Sequence, residues 1–289
     1  KSPAEIRVQF SDVKTKVTGL IERKIDISIS VSSIPNDLFL KIKNSNSIQI
    51  TKPHLGYSFW ISINPKSENC KSLTVRRQFQ KILNFSKYDF KNLQPFWEPA
   101  KQLYLPDGMG RLTDAEAESF WKRNESIKVE GLEKKQFSFL IAEDFPFKNE
   151  IRNILDKTHI QYEFSEYKTI GEFLDLKAKK NFDFFQIRND FSSVDLNENL
   201  QTTFNPSNPL IETTDMENYY KANLEKAIAS NSETTKHEIY RNIASDLLEK
   251  AFIIPIAYYH VLYFHQKNVD ISKWSLNIPE VSFWKIRVD

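Results

Sequence analysis

Five histidines and one cysteine are the side chains most able to ligate a metal or attack a substrate. The histidines are His54, His159, His237, His260 and His265, and the cysteine is Cys70. His260 and His265 are close in sequence, but five residues apart on a strand they face opposite sides. Structural or surface roles therefore outrank a shared metal. Cys70 sits in "NPKSENCKS", a polar stretch with no activating partner beside it. "LPDGMG" brings two glycines together, and a turn explains them better than an anion-binding nest. Carboxylates are plentiful, yet spacing marks out no pair. GxGxxG, Walker, HExxH, CxxC and GxSxG patterns are all missing. The residues describe a binding or scaffolding protein rather than an enzyme, and no cofactor is expected.

Those side chains must be positioned by a chain of 289 residues, 40% hydrophobic and 27% charged, which is an ordinary globular composition. The net charge of +2 comes from 40 basic and 38 acidic residues, without a clustered basic stripe, so no nucleic-acid partner is implied. One cysteine excludes an intrachain disulfide framework. Six glycines leave little material for phosphate-cradling loops.

Periodicity outlines the elements. "EIRVQF" alternates as a strand, Val13, Val17, Leu20 and Ile21 form a helical stripe, and "IDISISV" alternates again, a β-α-β reading for 5–31. Residues 32–56 look polar and irregular, and 85–135 look less regular than their flanks. "YSFWISIN" reads as a strand. Val75, Phe79, Ile82 and Leu83 lie on one helical face. From 136 strands and helices alternate: "QFSFLIA", "FKNEIRNILDKT", "HIQYEF", "TIGEFLDLKAKK" and "FDFFQI". That alternation indicates an α/β layer with parallel pairing. Capping boxes are expected at Thr169/Glu172 and at Thr235/Glu238. A polar loop is expected over 192–216, then helices at about 217–229 and 236–251.

The run "AFIIPIAYYHVLYF", from Ala251 to Phe264, is apolar except for His260. It is too short to span a bilayer, which needs about 20 apolar residues in a helix. Pro255 would break a helix there. Its Ile, Tyr, Phe and Val content suits a buried strand.

Several stretches, in one order, resemble the C-terminal portion of the oligopeptide/dipeptide-type (peptide/nickel class) solute-binding proteins of bacterial ABC importers. "LIERKIDISIS" is similar to that family's "aL..GeiDi". "YSFWISINPKSENCKSLTVRRQFQKILN" is similar to "ylgfNt…Pf.d.rVRqAl.yAid", with Asn64, Val75, Arg76 and Asn84 in register. "AKQLYLPDGMG" resembles "a.s.iPpgm.g", and "IRNILDKTHIQYEF" resembles "iQ..lk.iGIkvel". "FDFFQIRNDF" resembles "fDl....w.aDy". The helices of "YYKANLEKAIAS…HEIYRNIASDLLEKAFIIPIAYY" resemble the pair ending in "p.iPly", with Pro255 on its proline. There are departures. Arg23 or Lys24 replaces the glycine of "GeiD". Ile187 stands near the place of a tryptophan. The usual "DP" is missing, with only Asp195 near it, and shifted.

The resemblance implies an α/β, periplasmic-binding-protein-like architecture of two lobes that close on a solute. It implies mainly the C-terminal lobe plus part of the first, because the family has further sequence before the point matching Lys1. Residues 1–56 and 257–289 would belong to the first lobe and 57–256 to the second. "IIPIAYY" would lead the chain out of the second lobe towards the first. The implied function is capture of peptides or other small-molecule solutes for an ABC transporter membrane permease, by a monomer. The implied location is periplasmic, or exported and anchored as a lipoprotein. Asp190 matches the position of a carboxylate that binds a ligand α-ammonium; pairing with Arg188 is its bland alternative. Phe191, Arg188 and Trp97 complete the expected ligand-binding set, with core packing the competing role for Trp97, Phe185 and Phe191. Arg76 is expected to pack rather than to touch ligand. The same fold family also implies a solute-sensing domain of a transcriptional regulator as an alternative.

Overall fold

The computed structural model describes residues 12–30, 34–52, 56–90, 96–104, 108–189, 214–271 and 287–288. The expected strand at "EIRVQF" and most of the 192–216 loop lie outside them.

The first element among the described residues is α1 (Val13–Ile21), capped by Asp12, whose carboxylate accepts from the Thr15 backbone N–H. β1 (Ile27–Ser30) follows. The supposedly irregular stretch then folds as α2 (Asn36–Lys43) and β2 (Ile48–Thr51). Their apolar stripe is too short to declare itself, yet Phe39, Ile42 and Ile48 are buried. β3 (Gly56–Ile63), α3 (Leu73–Ile82), a 3₁₀ turn (Phe85–Lys87) and β4 (Trp97–Pro99) lead to α4 (Asp114–Glu125). Within the less regular 85–135 stretch, α4 carries a complete capping box between Thr113 and Glu116.

The alternating region matches its pattern: β5 (Gln136–Ala142), α5 (Lys148–Lys157), β6 (Gln161–Tyr167), α6 (Ile170–Lys179) and β7 (Phe184–Asn189). Two helices, α7 (Thr214–Ala229) and α8 (Glu233–Glu249), precede β8 (Ile253–His260). The N-cap of α8 is Ser232, accepting from Thr235, rather than Thr235 itself. At α6, Thr169 accepts from the Glu172 N–H, but the Glu172 carboxylate turns to the Lys168 N–H, so the expected box is displaced. β9 (Leu262–Gln266), β10 (Val269–Asp270) and β11 (Arg287–Val288) close the chain.

Two sheets and a two-stranded ribbon, β10-β11, organise the described strands. The larger has the order β4-β8-β3-β7-β5-β6, and the smaller has β1-β9-β2. β5 pairs in parallel with β6 and β7, as the alternation implies, but β3, β4 and β8 pair antiparallel, so the sheet is mixed. β9 pairs antiparallel with β1 and β2. The chain passes from one sheet to the other at Val261, because β8 stays paired with β3 through His260.

On β3, Phe59, Ile61 and Ile63 face one layer and Trp60 the other. The first face packs on α3 and α5 through Phe79, Ile151 and Leu155, and its cluster runs on into Val17, Leu20 and Phe39 behind the smaller sheet. The second face carries α4, α7 and α8 through Phe120, Leu224 and Ile243. Pro255 sits inside β8 without breaking it. β4 pairs only with 257–259, and the ladder to β3 shifts register between Ala257 and Pro255, so no partner needs the N–H that proline lacks.

Helix ends explain a departure noted in the sequence. After α1, Arg23 N–H donates to Leu20 O and Lys24 N–H to Gly19 O, with Arg23 at φ 57°. That is a Schellman ending, whose left-handed position usually holds glycine. Arg23 thus occupies the place of the glycine in "GeiD". His159 (φ 58°) follows α5 at the glycine of "iGI", and Ala251 (φ 52°) follows α8. A side chain in this region is strained, which glycine would relieve at some cost in unfolded-chain entropy. We expect Arg23→Gly and His159→Gly each to raise stability by up to about 1 kcal/mol in urea titrations. A loss of stability in both variants would show that the side chains hold these endings by contacts stronger than the strain.

Candidate functional site

The carboxyl ends of β5, β6, β7 and β8, and the amino ends of β3 and β4, lie on one edge of the larger sheet. This is the edge at which the chain crosses to the smaller sheet, between Lys52 and Gly56 and again at Val261. Open α/β sheets bind ligands outside the carboxyl ends of their strands. The crossing edge is therefore the candidate site.

Gly56 is required there. It pairs with His260, and a Cβ on it would come within 2.1 Å of the Tyr259 carbonyl oxygen. Beside it Tyr57 faces Tyr259, with ring centroids 6.2 Å apart. Tyr259 is buried and stacks on Phe96 at 6.1 Å and against Trp97 at 4.8 Å. Trp97, expected to line the cleft, is a core residue: it is 6% exposed and edge-on to Phe59 and Phe147. Phe185 is buried too, on the opposite face with Leu140, Phe173 and Phe182.

Arg188 reaches the edge. It is exposed, pairs across from Phe59 and lies 5.3 Å over the Tyr57 ring. Asp190 and Phe191 lie outside the described residues; β7 ends at Asn189, immediately before them.

Sequence reasoning missed a trio of polar side chains at the crossing. Glu98 of β4 pairs with Lys52, and its Oε2 lies 3.2 Å from His260 Nε2. The close contact with His260 holds the Glu98 carboxyl down to about 2, Lys52 adds to the effect, and partial burial opposes it. No local signal could reveal this trio, because its members come from β8, β4 and the end of β2. His265 has its own partners, Thr51 Oγ1 at 3.0 Å and the Gln266 carbonyl at 3.1 Å.

Of the matched motif residues, Asn64 and Arg76 lie at the opposite end of the sheet, whereas Asn84 follows α3 to the 3₁₀ turn beside β4 and β8. Asn64 donates to Asn181 and to the Phe182 carbonyl. Arg76, buried, donates to the carbonyls of Cys70, Lys71 and Lys250. Asn84 caps the 3₁₀ turn at Ser86 N–H. Asp183 accepts from Ser138 and Asn69. Burial pushes the Cys70 thiol above its usual range, so it is a packed, unreactive group. A groove of about 320 Å³ between α4 and α8 has its rim charges already paired, Glu116 with Arg241 and Arg123 with Glu249. No group of three or more metal-ligating side chains converges among the described residues.

No family model matches the sequence, and no curated protein matches it. Solved structures do match. The chain covers 96% of its own length on each of three: NikA from Brucella suis in complex with Fe(III)-EDTA (TM-score 0.71, 14% identity), DppA from Helicobacter pylori in complex with the peptide STSA (0.64, 16%), and the dipeptide-binding protein from Pseudoalteromonas sp. SM9913 in complex with Met-Leu (0.63, 13%). The chain has the periplasmic-binding-protein fold. It spans 60%, 55% and 57% of the length of these three chains. No helix among the described residues is long and apolar enough to cross a membrane.

The edge can be tested at two residues. Trp97→Ala should lower stability by about 3–5 kcal/mol, the usual loss for a buried aromatic, as read by chemical denaturation; a near-neutral effect would return Trp97 to the cleft. For Glu98 the folded carboxyl titrates near 2 and the unfolded one near 4.5. Its stabilising contribution is therefore present above about 4.5 and lost as pH falls towards 2. Wild type should be more stable than Glu98→Gln at neutral pH, and the gap should close between those values. A gap independent of pH would mean that the trio does not form.

Proposed function

We propose that this chain is the solute-holding, C-terminal part of a substrate-binding component of a bacterial ABC transporter, capturing peptides or similar small solutes. The observation that carries this reading is the fold match over 96% of the chain to structures that hold the peptide STSA, Met-Leu and Fe(III)-EDTA. The crossing edge supports it. Two adjacent connections join the sheets, the arrangement required for two lobes to close by bending at a hinge. In this reading residues 1–56 and 257–289 belong to one lobe and 57–256 to the other. The pairing of β9 with β1 and β2 agrees with that division. The protein works outside the cytoplasmic membrane, periplasmic or lipid-anchored, as a monomer that delivers solute to a membrane permease.

Ligand contacts made by both lobes select the closed state. For a peptide, affinity comes largely from backbone hydrogen bonds, with Asp190 receiving the α-ammonium in a charge-assisted bond. Native mass spectrometry of the full-length protein purified from cells should find a retained solute of peptide mass. Asp190→Asn should weaken peptide binding by about 1.5–3 kcal/mol and barely move the melting temperature. N-acetylating the peptide should cost the wild type a similar amount and the variant much less. Equal losses in both proteins would remove Asp190 from the site.

A further inference from the structure

Side chains bridge the join between the sheets on both of its faces. β4 lies against β8, with Trp97 opposite Tyr259 and Glu98 opposite Tyr258. Successive side chains of a strand point to opposite faces, so Trp97 and Tyr259 share one face and Glu98 and Tyr258 the other. His260, two residues on from Tyr258, is on the Glu98 side. The backbone around Glu98 is held on both flanks. His260 N–H donates to the Phe96 carbonyl, and Ala100 N–H donates to the Ile256 carbonyl.

The two faces meet the smaller unit by different chemistry. On the Tyr259 side the contact is apolar: Phe39 of α2 stands edge-on to Phe96 at 5.3 Å, and Phe96 stacks on Tyr259. On the Glu98 side it is ionic. Lys52, the residue after β2, reaches across the join and donates to Glu98 Oε1. The other oxygen, Oε2, lies 3.2 Å from His260 Nε2, which is buried and makes no hydrogen bond among the described residues. Each carboxylate oxygen thus has a nitrogen beside it, and turning Glu98 away from Lys52 also takes it from His260.

A bend at the two connections towards one face opens the contacts on the other. One sense of bending parts Phe39 from Phe96 and exposes apolar surface. The opposite sense parts Lys52 from Glu98, whose side chains are 42% and 37% exposed. At that exposure an ion pair adds little to overall stability and is weakened by salt. A small energy is still enough to set the balance between two arrangements of similar energy.

We propose that the Lys52–Glu98 ion pair is a strap across the join, holding the two sheets in their mutual orientation against the sense of bending that the Phe39–Phe96 contact does not oppose. This inference goes beyond solute capture and does not depend on it.

The test is a distance distribution between spin labels on the full-length protein, at Lys43→Cys in α2 and Lys122→Cys in α4. Both positions are exposed, and the buried Cys70 stays unlabelled. With the strap intact one distance should dominate. In Lys52→Gln, which leaves Glu98 and His260 in place, the ratio of that peak to all others should fall by about 2–5-fold, the range open to an exposed ion pair. In 1 M potassium chloride, where screening acts within about 3 Å, the strapped protein should move towards the variant and the variant should not move. The exchanged pair Lys52→Glu with Glu98→Lys should return the ratio to within about 2-fold of its starting value, as a direct pairwise interaction requires. A distribution unchanged by Lys52→Gln overturns the strap. So does a loss that the exchanged pair fails to restore, because contacts other than the ion pair would then hold the join. Both outcomes leave solute capture standing. A native mass spectrum without retained solute counts against capture and leaves the strap untouched.

Discussion

Every residue from Ala251 to Gln266 is buried, and this one stretch belongs to both sheets. The rest of the structure depends on that constraint. As β8 it lies between β3 and β4, and as β9 between β1 and β2. Its side chains must satisfy two cores in succession, which explains why it is apolar almost throughout. Such a segment cannot be a loop, because its backbone groups would be buried without partners. The second connection runs beside it, with Gly56 pressed against the Tyr259 carbonyl. Phe39 of the smaller unit meets both Phe96 and Phe264, so the apolar contact continues across the join. Any relative motion of the two sheets would have to be taken up where these two strands cross.

The two ends of the larger sheet are built differently. At the end far from the crossing, buried polar groups are tied to one another: Arg76 to three carbonyls, Asp183 to Ser138 and Asn69, and Asn64 to Asn181. Leaving any of these without a partner costs about 1–3 kcal/mol, more for the charged ones. That end is committed to stability. At the crossing end Glu98 pairs with Lys52 and lies beside His260, and the exposed Arg188 lies over the Tyr57 ring.

Much of this fold is legible from periodicity, and what is not has physical causes. β5, α5, β6 and β7 carry full-length patterns, so their order and parallel pairing follow from alternation. α2 and β2 are short, with too few apolar positions to separate from a polar loop. α4 carries its signal in the Thr113–Glu116 box rather than in its stripe. The antiparallel partners of β3 are invisible locally, since β7 and β8 come from far along the chain. The site is less legible still. Arg188 could be named from its neighbours in the motif, whereas its Tyr57 support depends on pairing between β3 and β7. Trp97 reads as a cleft aromatic because residue type cannot tell the two sides of a short strand apart. The trio at Glu98 needs three distant segments to meet.

The departures from the resembled family can be understood through the same geometry. Where that family has glycine, this chain keeps the left-handed backbone at Arg23 and His159 and changes only the side chain. The turn is thus dictated by helix packing, and residue identity is secondary. Near β7 the tryptophan position is taken by Ile187, which packs between the clusters around Trp60 and Phe185. An aliphatic side chain there closes the core but offers the crossing edge no ring. The ring comes instead from Tyr57 on the adjacent strand, and on the opposite face from Ile187 it underlies Arg188.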